Sequence, residues 1–320
     1  MLNLSDLRQR ADRQLDFAPY APRRLVLIHT AVSLGASLLV ALLNLLFSSM
    51  IENTGGLSGL GMRSMLETAQ ATLEMAVTVA LPFWNISLVR ASLLWARGEL
   101  AEPPTLLEGF HRFRSVLGLK LLTAFLVMSL GIVVFYLGSS LFLLTPFSDP
   151  LAAALEPMMQ QSSILSGDGL TEETVAQVLA VAKPLFICLA VIFAALAIPL
   201  WYRIRFADFA VMDGCRGRIS LLESFRITRK KCWQIFRIDL SFWWFYLLQM
   251  LTVTLCYADT ILAALGVPLP ISAELSYVLF YAAGIVLQGL LLWYYQAKVS
   301  VTYALAYEAL CADTAILNTQ

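Results

Sequence analysis

The sequence predicts an all-α, polytopic membrane protein with six transmembrane helices and with both termini in the cytoplasm. The first reason is its composition, since 59% of the 320 residues are hydrophobic, only 14% are charged and the mean hydropathy is +0.74. Soluble domains carry about 25% charged residues, so this excess of apolar surface requires lipid to cover it. The second reason is a set of long uncharged stretches. The third is that 20 of the 22 Lys and Arg residues fall on one side once the chain is threaded through those stretches.

The spans are placed by the length of their apolar runs, because a helix needs about 20 residues to cross a hydrocarbon core about 30 Å thick. The second run, 75–89, is the shortest, and it becomes a full span when Arg90 extends its side chain to the headgroups. The first run follows a polar segment and is too long for a signal peptide, so we expect it in the mature protein. The predicted spans are approximately 25–50, 73–96, 119–147, 180–202, 238–258 and 275–297.

The orientation follows from the basic residues. With the amino terminus inside, the predicted outer loops hold only Arg63 and Lys183, and the other 20 Lys and Arg residues lie inside. Basic residues in short loops stay in the cytoplasm, so we expect both termini inside. The formal net charge of zero conceals this asymmetry.

One predicted outer loop, 149–183, is long. It contains a Ser-Gly-Asp-Gly turn signal at 166–169 and then Thr171, which is a good helix N-cap before two glutamates. We expect the fourth helix to run from about 172 to 202, with kinks at its two internal prolines. The loop is interpreted either as a solvated acidic connection or as a ligand-binding loop.

An internal repeat marks the predicted cytoplasmic segments. The string TLLEGFHRFR, starting at Thr105, aligns without a gap on SLLESFRITR, starting at Ser220. Each hydroxyl residue is followed three positions later by a glutamate, Glu108 or Glu223, which is the pattern of a capping box. Two related helix hairpins, each with a capped amphipathic helix at the inner surface, explain this repeat. The predicted interfacial helices are approximately 5–16, 105–115 and 220–236.

The second copy of the repeat is amphipathic and strongly basic. Such a helix rests in the headgroup region with its basic face toward anionic lipid, packs beneath the helix bundle, or binds a partner helix. Its apolar face is formed by Leu221, Phe225, Thr228, Cys232 and Ile235. The candidate contacts for anionic lipid or for a protein partner are Arg226, Arg229, Lys230, Lys231 and Trp233.

No ionisable residue is predicted at mid-bilayer, where its cost would indicate a function. The polar residues predicted there are the amides Asn44, Asn85, Gln249 and Gln288. Amides in membranes commonly link helices by hydrogen bonds. Asn85 follows Pro82, which frees a backbone carbonyl, so Asn85, Gln249 and Gln288 form a candidate intramembrane polar site.

Motifs for chemistry are missing from the sequence. It contains no P-loop, nucleophile elbow or HExxH zinc motif, and its two histidines and five cysteines form no metal-binding pattern. We therefore predict no catalytic residue, no cofactor, no metal and no nucleic-acid partner. Asp208, Asp213 and Asp239 lie among arginines near the predicted inner interface and are interpreted as ion-pairing or capping residues.

Several segments are shared with a known protein family. They are Tyr202-Arg203 followed by Phe209 and Asp213, SLLES at 220–224, the string from Asp239 to Trp244, and the Tyr307-Glu308 pair. On these residues the chain resembles an uncharacterised bacterial family of polytopic membrane proteins, common in Firmicutes. That family is distantly similar to the membrane domain that accompanies some glycerophosphodiester phosphodiesterases. The resemblance implies a membrane module without hydrolase chemistry of its own. One departure is Gly214, close to where a proline is expected.

The chain is accordingly predicted to be a single integral membrane domain, 1–320, without enzymatic activity, and the resemblance implies a place in the bacterial inner membrane. Its predicted role is lipid interaction, scaffolding or a part in envelope stress, with membrane lipids and a cytoplasmic protein as candidate partners. The alternative is a small-molecule transporter or channel with a site between the repeated hairpins.

Overall fold

The computed structural model describes residues 4–17, 22–53, 59–146, 148–150, 172–264 and 273–318. The predicted all-α class is confirmed for these residues, which form helices and no strand. A 3-10 turn at Pro103–Leu107 precedes the fourth helix. The helices are α1 (Leu4–Phe17), α2 (Pro22–Asn53), α3 (Gly59–Ala96), α4 (Glu108–His111), α5 (Phe113–Leu143), α6 (Glu172–Ile204), α7 (Ala207–Met212), α8 (Gly217–Ile227), α9 (Cys232–Ser241), α10 (Trp243–Cys256), α11 (Ala258–Ala264) and α12 (Ala273–Asn318).

Several helices are long and apolar enough to cross a membrane, which agrees with the coarse prediction of a membrane protein. Five such stretches occur in the described part of the chain, and a sixth results if α9 and α10, which meet at 65°, form one bent span. The five stretches are Pro22–Met50, Gly61–Ala96, Phe113–Leu143, Ala182–Met212 and Leu275–Thr314.

α3 begins earlier than the predicted span 73–96. It contains 38 residues and starts at Gly59, so Glu67 and Glu74 lie inside the helix. Their carboxylates are satisfied there, since Glu67 accepts from Arg63 one turn away at 2.9 Å and Glu74 accepts from Asn44 of α2 at 2.6 Å. The predicted span began too late because the sequence does not show the partners of these two carboxylates.

α12 is the longest helix in the described part of the chain and extends well past the predicted span 275–297. Its 46 residues rise about 69 Å along the axis, which is more than twice the thickness of a hydrocarbon core. Neither glycine nor proline interrupts the sequence after Lys298, so nothing local ends the helix there. The predicted span is therefore only the first half of α12.

The chain forms two compact units, unit 1 (Met1–Leu119 with Phe206–Gln320) and unit 2 (Lys120–Arg205). The core of unit 1 lies at one end, which we call the packed end. It comprises α1, α3 from Phe83 onward, the segment Ala101–Leu119, the helices α7 to α9, and α12 from Ala297 onward. Its fully buried side chains include Trp95, Leu106, Phe206, Ile227, Ile235 and Phe242.

The remainder of α12 and the helix α10 expose apolar side chains. Leu279 and Val286 of α12 and Met250 of α10 are each more than half exposed. An apolar surface of this extent on a folded protein requires lipid or a partner to cover it. The exposed surface and the packed end thus divide unit 1 into a region suited to the bilayer and a region that carries its own core.

Two glycines allow segments of the packed end to lie in direct backbone contact. A Cβ at Gly109 would overlap the Phe83 carbonyl and lie 2.7 Å from the Ser87 hydroxyl, and the Gly109 amide donates to that hydroxyl at 2.9 Å. A Cβ at Gly217 would overlap the Ser115 carbonyl. Both crossings place backbone directly against backbone, so only glycine fits at either position.

Unit 2 consists of the remainder of α5 and the helix α6. The two helices approach at Gly138, where a Cβ would overlap Leu189 and lie 3.6 Å from Ile192. Val134 and Phe142 of α5 are buried. Close approach at a glycine is a common way for apolar helices to pack in lipid. The predicted helix start at Glu172 is confirmed, whereas Thr171 and most of the loop 149–183 lie outside the described residues.

Candidate functional site

The basic candidate residues lie at the turn between α8 and α9. We call Arg226, Arg229, Lys230, Lys231 and Trp233 the basic corner. Arg226 pairs with Glu223 at 2.7 Å and Lys231 pairs with Asp313 of α12 at 2.8 Å. Arg229 and Lys230 are exposed and have no ion-pair partner among the described residues. Two of the four cations are therefore used within the protein and two face outward.

The predicted single helix 220–236 is wrong, because this turn divides it into α8 and α9. Lys230 has φ 62°, a left-handed conformation that ends a helix and is unfavourable for residues with a Cβ. The predicted capping box is wrong as well, since α8 begins three residues before Ser220 and the Ser220 hydroxyl donates to the Gly217 carbonyl at 2.7 Å. α8 begins at Gly217, whose backbone lies directly against the Ser115 carbonyl. The helix therefore does not begin at a residue whose hydroxyl caps it.

The first copy of the repeat also differs from the predicted helix 105–115. Pro103 and Pro104 start a 3-10 turn, α4 then lasts four residues, and α5 begins at Phe113. Thr105 lies inside the 3-10 turn, so the predicted box with Glu108 does not form. The short helices follow the crossing at Gly109, which holds this segment against α3. The predicted helix 5–16 agrees with α1.

The predicted apolar face of the basic segment packs into the protein. Leu221, Thr228 and Ile235 are buried, and the other two members of that face are half-buried. A different set of apolar side chains is exposed near the basic corner. Trp233 is 69% exposed, and Leu240 and Trp243 are also exposed. The surface beside Arg229 and Lys230 is therefore aromatic and aliphatic as well as cationic.

The three amides of the candidate intramembrane site form no hydrogen bond with one another among the described residues. Asn85 is exposed, whereas Gln249 and Gln288 are half-buried on α10 and α12. None of their side chains hydrogen-bonds another described residue. Two open grooves on α3, of about 650 and 430 Å³, are lined instead by residues between Ser64 and Phe83, together with Phe110 and Phe113. The predicted amide site has no support from this geometry.

A polar pair that joins α2 to α3 was only half predicted. The Asn44 amide nitrogen donates to Glu74 Oε1 at 2.6 Å, which confirms Asn44 as an interhelical link. Its partner Glu74 was not predicted as a link, and it lies within the apolar stretch Gly61–Ala96. The Asn44 carbonyl oxygen is buried and accepts no hydrogen bond from the described residues. The sequence signal for Glu74 is an ionisable residue directly beside the apolar run 75–89.

Arg97 holds three segments of the packed end together. Its guanidinium lies 2.7 Å from Asp213 Oδ1, after α7, and donates from Nε to Glu308 Oε1 of α12 at 2.7 Å. Burial lowers the pKa of Arg97, but the hydrogen bonds and the charge of Glu308 and Asp213 outweigh it and raise the pKa overall. The interpretation of Asp213 as an ion-pairing residue is confirmed.

Further polar contacts secure the second half of α12. Asp239 of α9 accepts from the Tyr246 hydroxyl at 3.0 Å and from the Tyr303 hydroxyl. Lys298 pairs with Asp12 of α1 at 2.8 Å. α12 is therefore contacted by α1, by Arg97 at the end of α3 and by α9. This helix is the centre of the packed end. The sequence shows that these residues are polar or charged, but it does not show which of them contact each other.

The expected proline position near Asp213 is occupied by a residue that proline could not replace. Gly214 has φ 112°, whereas the proline ring fixes φ near −65°. The Gly214 amide also donates to the Val211 carbonyl at 3.2 Å. The turn after α7 therefore has a conformation that requires glycine.

No family model, curated protein or solved structure matches this chain. Within the described ranges, no three His, Cys, Asp or Glu side chains are grouped so that they could hold a metal ion.

Proposed function

We propose that this protein is a non-enzymatic, multi-pass protein of the bacterial cytoplasmic membrane that binds anionic lipid headgroups through its basic corner. One observation carries the proposal. Arg229 and Lys230 are exposed cations without ion-pair partners among the described residues, and they stand beside a Trp233 side chain that is 69% exposed.

This combination suits the boundary between lipid and water. Tryptophan is enriched at the headgroup level, where its ring meets apolar chains and its N–H meets polar groups. Each Lys or Arg near an anionic surface contributes about 1 kcal/mol of attraction. α9 is amphipathic in the manner of an interfacial helix, since Ile235 and Ile238 are buried while Leu240 is exposed. The helix can rest on the bilayer without exposing its own core.

The proposed orientation places the packed end in the cytoplasm. Arg112 donates to the Val211 carbonyl at 2.9 Å. Together with the ion pairs of Arg97 and Lys298, this contact joins at the packed end the segments that carry most of the basic residues. An arrangement with both termini inside keeps these segments on one side of the membrane, as the positive-inside rule requires. The charge pattern of the sequence and the grouping of its segments thus favour the same orientation.

The proposed internal repeat is supported by burial rather than by local geometry. Leu106 and Leu221 are both buried, and Leu107 and Leu222 are both exposed. The following glutamates each make an ion pair, with Arg90 and with Arg226 respectively. The two copies therefore bury the first leucine and expose the second in the same way, although their glutamates have partners that do not correspond and one copy is a 3-10 turn with a short helix.

The test uses the purified full chain in nanodiscs of zwitterionic lipid that contain a small fraction of brominated lipid, either anionic or zwitterionic. Quenching of the Trp233 fluorescence is obtained as the difference between the wild-type protein and Trp233→Phe. We expect the anionic quencher to be the stronger one, and we expect Arg229→Gln with Lys230→Gln to abolish this preference.

The matched control is Arg63→Gln, which removes a cation of α3 that is distant in the sequence from the basic corner. We expect this variant to leave the preference for the anionic quencher unchanged. Raising the salt concentration weakens the preference, because screening shortens the range of the attraction. Equal quenching by both lipids in the wild-type protein would contradict the proposal.

A further inference from the structure

One of the two grooves on α3 has an aromatic cluster at one end. This groove, of about 430 Å³, is lined by α3 residues between Thr72 and Phe83 and by Phe110 and Phe113, and apart from Thr72 its lining residues are apolar. The Phe83 ring stacks on the rings of Phe110 and Phe113, with centroids 5.9 and 4.8 Å apart. Phe110 and Phe113 remain 40% and 46% exposed. We call this site the phenylalanine groove.

The phenylalanine groove matches one lipid chain in length and in chemistry. Phe83 lies about 16 Å further along the α3 axis than Thr72, and one leaflet accounts for about 15 Å, which is half of a hydrocarbon core of about 30 Å. The lining part of α3 and the start of α5 at Phe113 both belong to stretches that are apolar enough to cross a membrane. An acyl chain is therefore the occupant that suits this groove.

Two arginines flank the aromatic end of the groove. Arg112 and Arg114 are the sequence neighbours of Phe113, so each of their Cα atoms lies about 3.8 Å from that of Phe113. The Arg112 guanidinium donates to the Val211 carbonyl at 2.9 Å, and this neutral acceptor does not compensate its charge. Arg114 is exposed and pairs with no carboxylate in the described part of the chain. Positive charge therefore lies where the groove ends.

A second pair of arginines reaches the same place from the start of α8. Arg216 and Arg218 flank Gly217, whose backbone lies directly against the carbonyl of Ser115, the residue that follows Arg114. Both arginine side chains are exposed, and neither has an ion-pair partner among the described residues. We call the four residues the arginine cluster, which comprises Arg112, Arg114, Arg216 and Arg218.

The carboxylates closest in the sequence to the arginine cluster do not neutralise it, because each is paired with an arginine outside the cluster. These pairs are Glu108 with Arg90 at 3.1 Å, Asp213 with Arg97 at 2.7 Å and Glu223 with Arg226 at 2.7 Å. Guanidinium groups bind phosphate through two parallel N–H donors, which makes arginine well suited to phosphate esters. The charge of the cluster thus complements a phosphate group.

We propose that one anionic phospholipid binds at this place, with an acyl chain in the phenylalanine groove and with its phosphate at the arginine cluster. The ligand needs both parts, since the groove is apolar and the cluster is cationic. The site is separate from the basic corner and does not rest on it, because Arg229, Lys230 and Trp233 line no part of the groove.

Photo-crosslinking of the purified full chain in phosphatidylcholine nanodiscs tests the site. The probes are phosphatidylglycerol and phosphatidylcholine with the same photoreactive acyl chain, each added as a small fraction, and the labelled peptides are identified by mass spectrometry. We expect phosphatidylglycerol to label the α3 segment 72–83 more strongly, by about fivefold for each arginine that contacts the phosphate. Equal labelling of this segment by the two probes would overturn the proposal.

Arg114→Gln with Arg218→Gln tests the contact with the headgroup. This variant should lower the labelling by phosphatidylglycerol toward that by phosphatidylcholine, whereas Arg229→Gln with Lys230→Gln, at the basic corner, should leave the excess unchanged. Soluble glycerol phosphate should not compete, because it has no chain for the groove. The proposal is wrong if the first variant keeps the excess, if the basic-corner variant removes it, or if glycerol phosphate competes.

Ala80→Phe tests the contact with the acyl chain. Ala80 lines the groove and is exposed, so a phenyl ring there occupies the groove without disturbing a buried core. This variant should lower the labelling of the segment by both probes. Ala71→Phe is the matched control, since Ala71 is exposed on α3 and lines neither groove. Undiminished labelling in Ala80→Phe, or a cross-linked dimer of the chain in place of the lipid label, would contradict an acyl chain in the groove.

Discussion

Arg97 and Glu308 are separated by 211 positions in the sequence, and Arg97 Nε donates to Glu308 Oε1 at 2.7 Å. The contact ties the end of α3 to the second half of α12, and Asp213 completes it from a third segment. The three residues thus connect an early, a middle and a late part of the chain in one partly buried cluster. The stability of the packed end should depend on this contact more than on any exposed ion pair.

Arg97→Met should destabilise the protein by about 1 to 2 kcal/mol, because two carboxylates lose a charged hydrogen-bond donor while retaining some access to water. The change is measured as a lower unfolding temperature of the purified protein. Arg63→Met is the matched control, since its pair with Glu67 is more exposed and should contribute less than about 0.5 kcal/mol. Equal effects of the two substitutions would argue against a central role for Arg97.

Gly109→Ala should destabilise the packed end by about 1 to 3 kcal/mol or prevent its assembly, because the added methyl group overlaps the Phe83 carbonyl. Gly118→Ala is the control, as a Cβ there meets nothing within 4 Å. It should be neutral or stabilising by up to about 1 kcal/mol through the higher helix propensity of alanine. Thermal unfolding of both variants checks the difference, and a tolerated Gly109→Ala would show that α3 and this segment can separate.

Lys230→Gly should be more stable than Lys230→Ala by about 1 kcal/mol, since glycine adopts the left-handed conformation of this position without the steric cost of a Cβ. Both variants lack the charge, so their comparison isolates the backbone. Unfolding temperatures provide the measurement. Equal stability of the two variants would mean that the turn between α8 and α9 relaxes without strain.

Cys215 should react slowly with thiol reagents near neutral pH. Burial raises the pKa of its thiol, and the carboxylates of Glu223 and Asp213 raise it further. A higher pKa leaves less thiolate at a given pH, so the rate of alkylation should be lower and should continue to rise with pH after an ordinary cysteine has reached its plateau. A variant that retains only Cys215 is compared with one that carries only Arg218→Cys, at an exposed position. Identical rates at every pH would contradict the prediction.

The helical class and most of the apolar stretches could be predicted because they depend on composition and run length, which lipid imposes locally. The positions at which the helices begin and end could not be predicted. α3 extends past Glu67 and Glu74 because Arg63 and Asn44 accommodate these carboxylates. The segment after Ser220 breaks at Lys230 although its periodicity favours one continuous helix.

The candidate site was predicted in part. The basic corner was found from charge, but only the structure distinguishes Arg229 and Lys230 from Arg226 and Lys231, whose partners are Glu223 and Asp313. Asn44 was recognised as an interhelical link, whereas its partner Glu74 was not recognised. A sequence shows which residues are polar but not which of them meet.

The sequence by itself determined that this protein is all-α and carries several helices suited to a bilayer, because hydrophobicity over about 20 residues is a local property. Only the tertiary structure decided that α12 leaves its apolar stretch to become the centre of a second, protein-lined core, and that Glu74 lies against Asn44. The physical reason is that hydrogen bonds, ion pairs and close backbone crossings join residues that are distant in the sequence, so their energies appear only when the helices are packed.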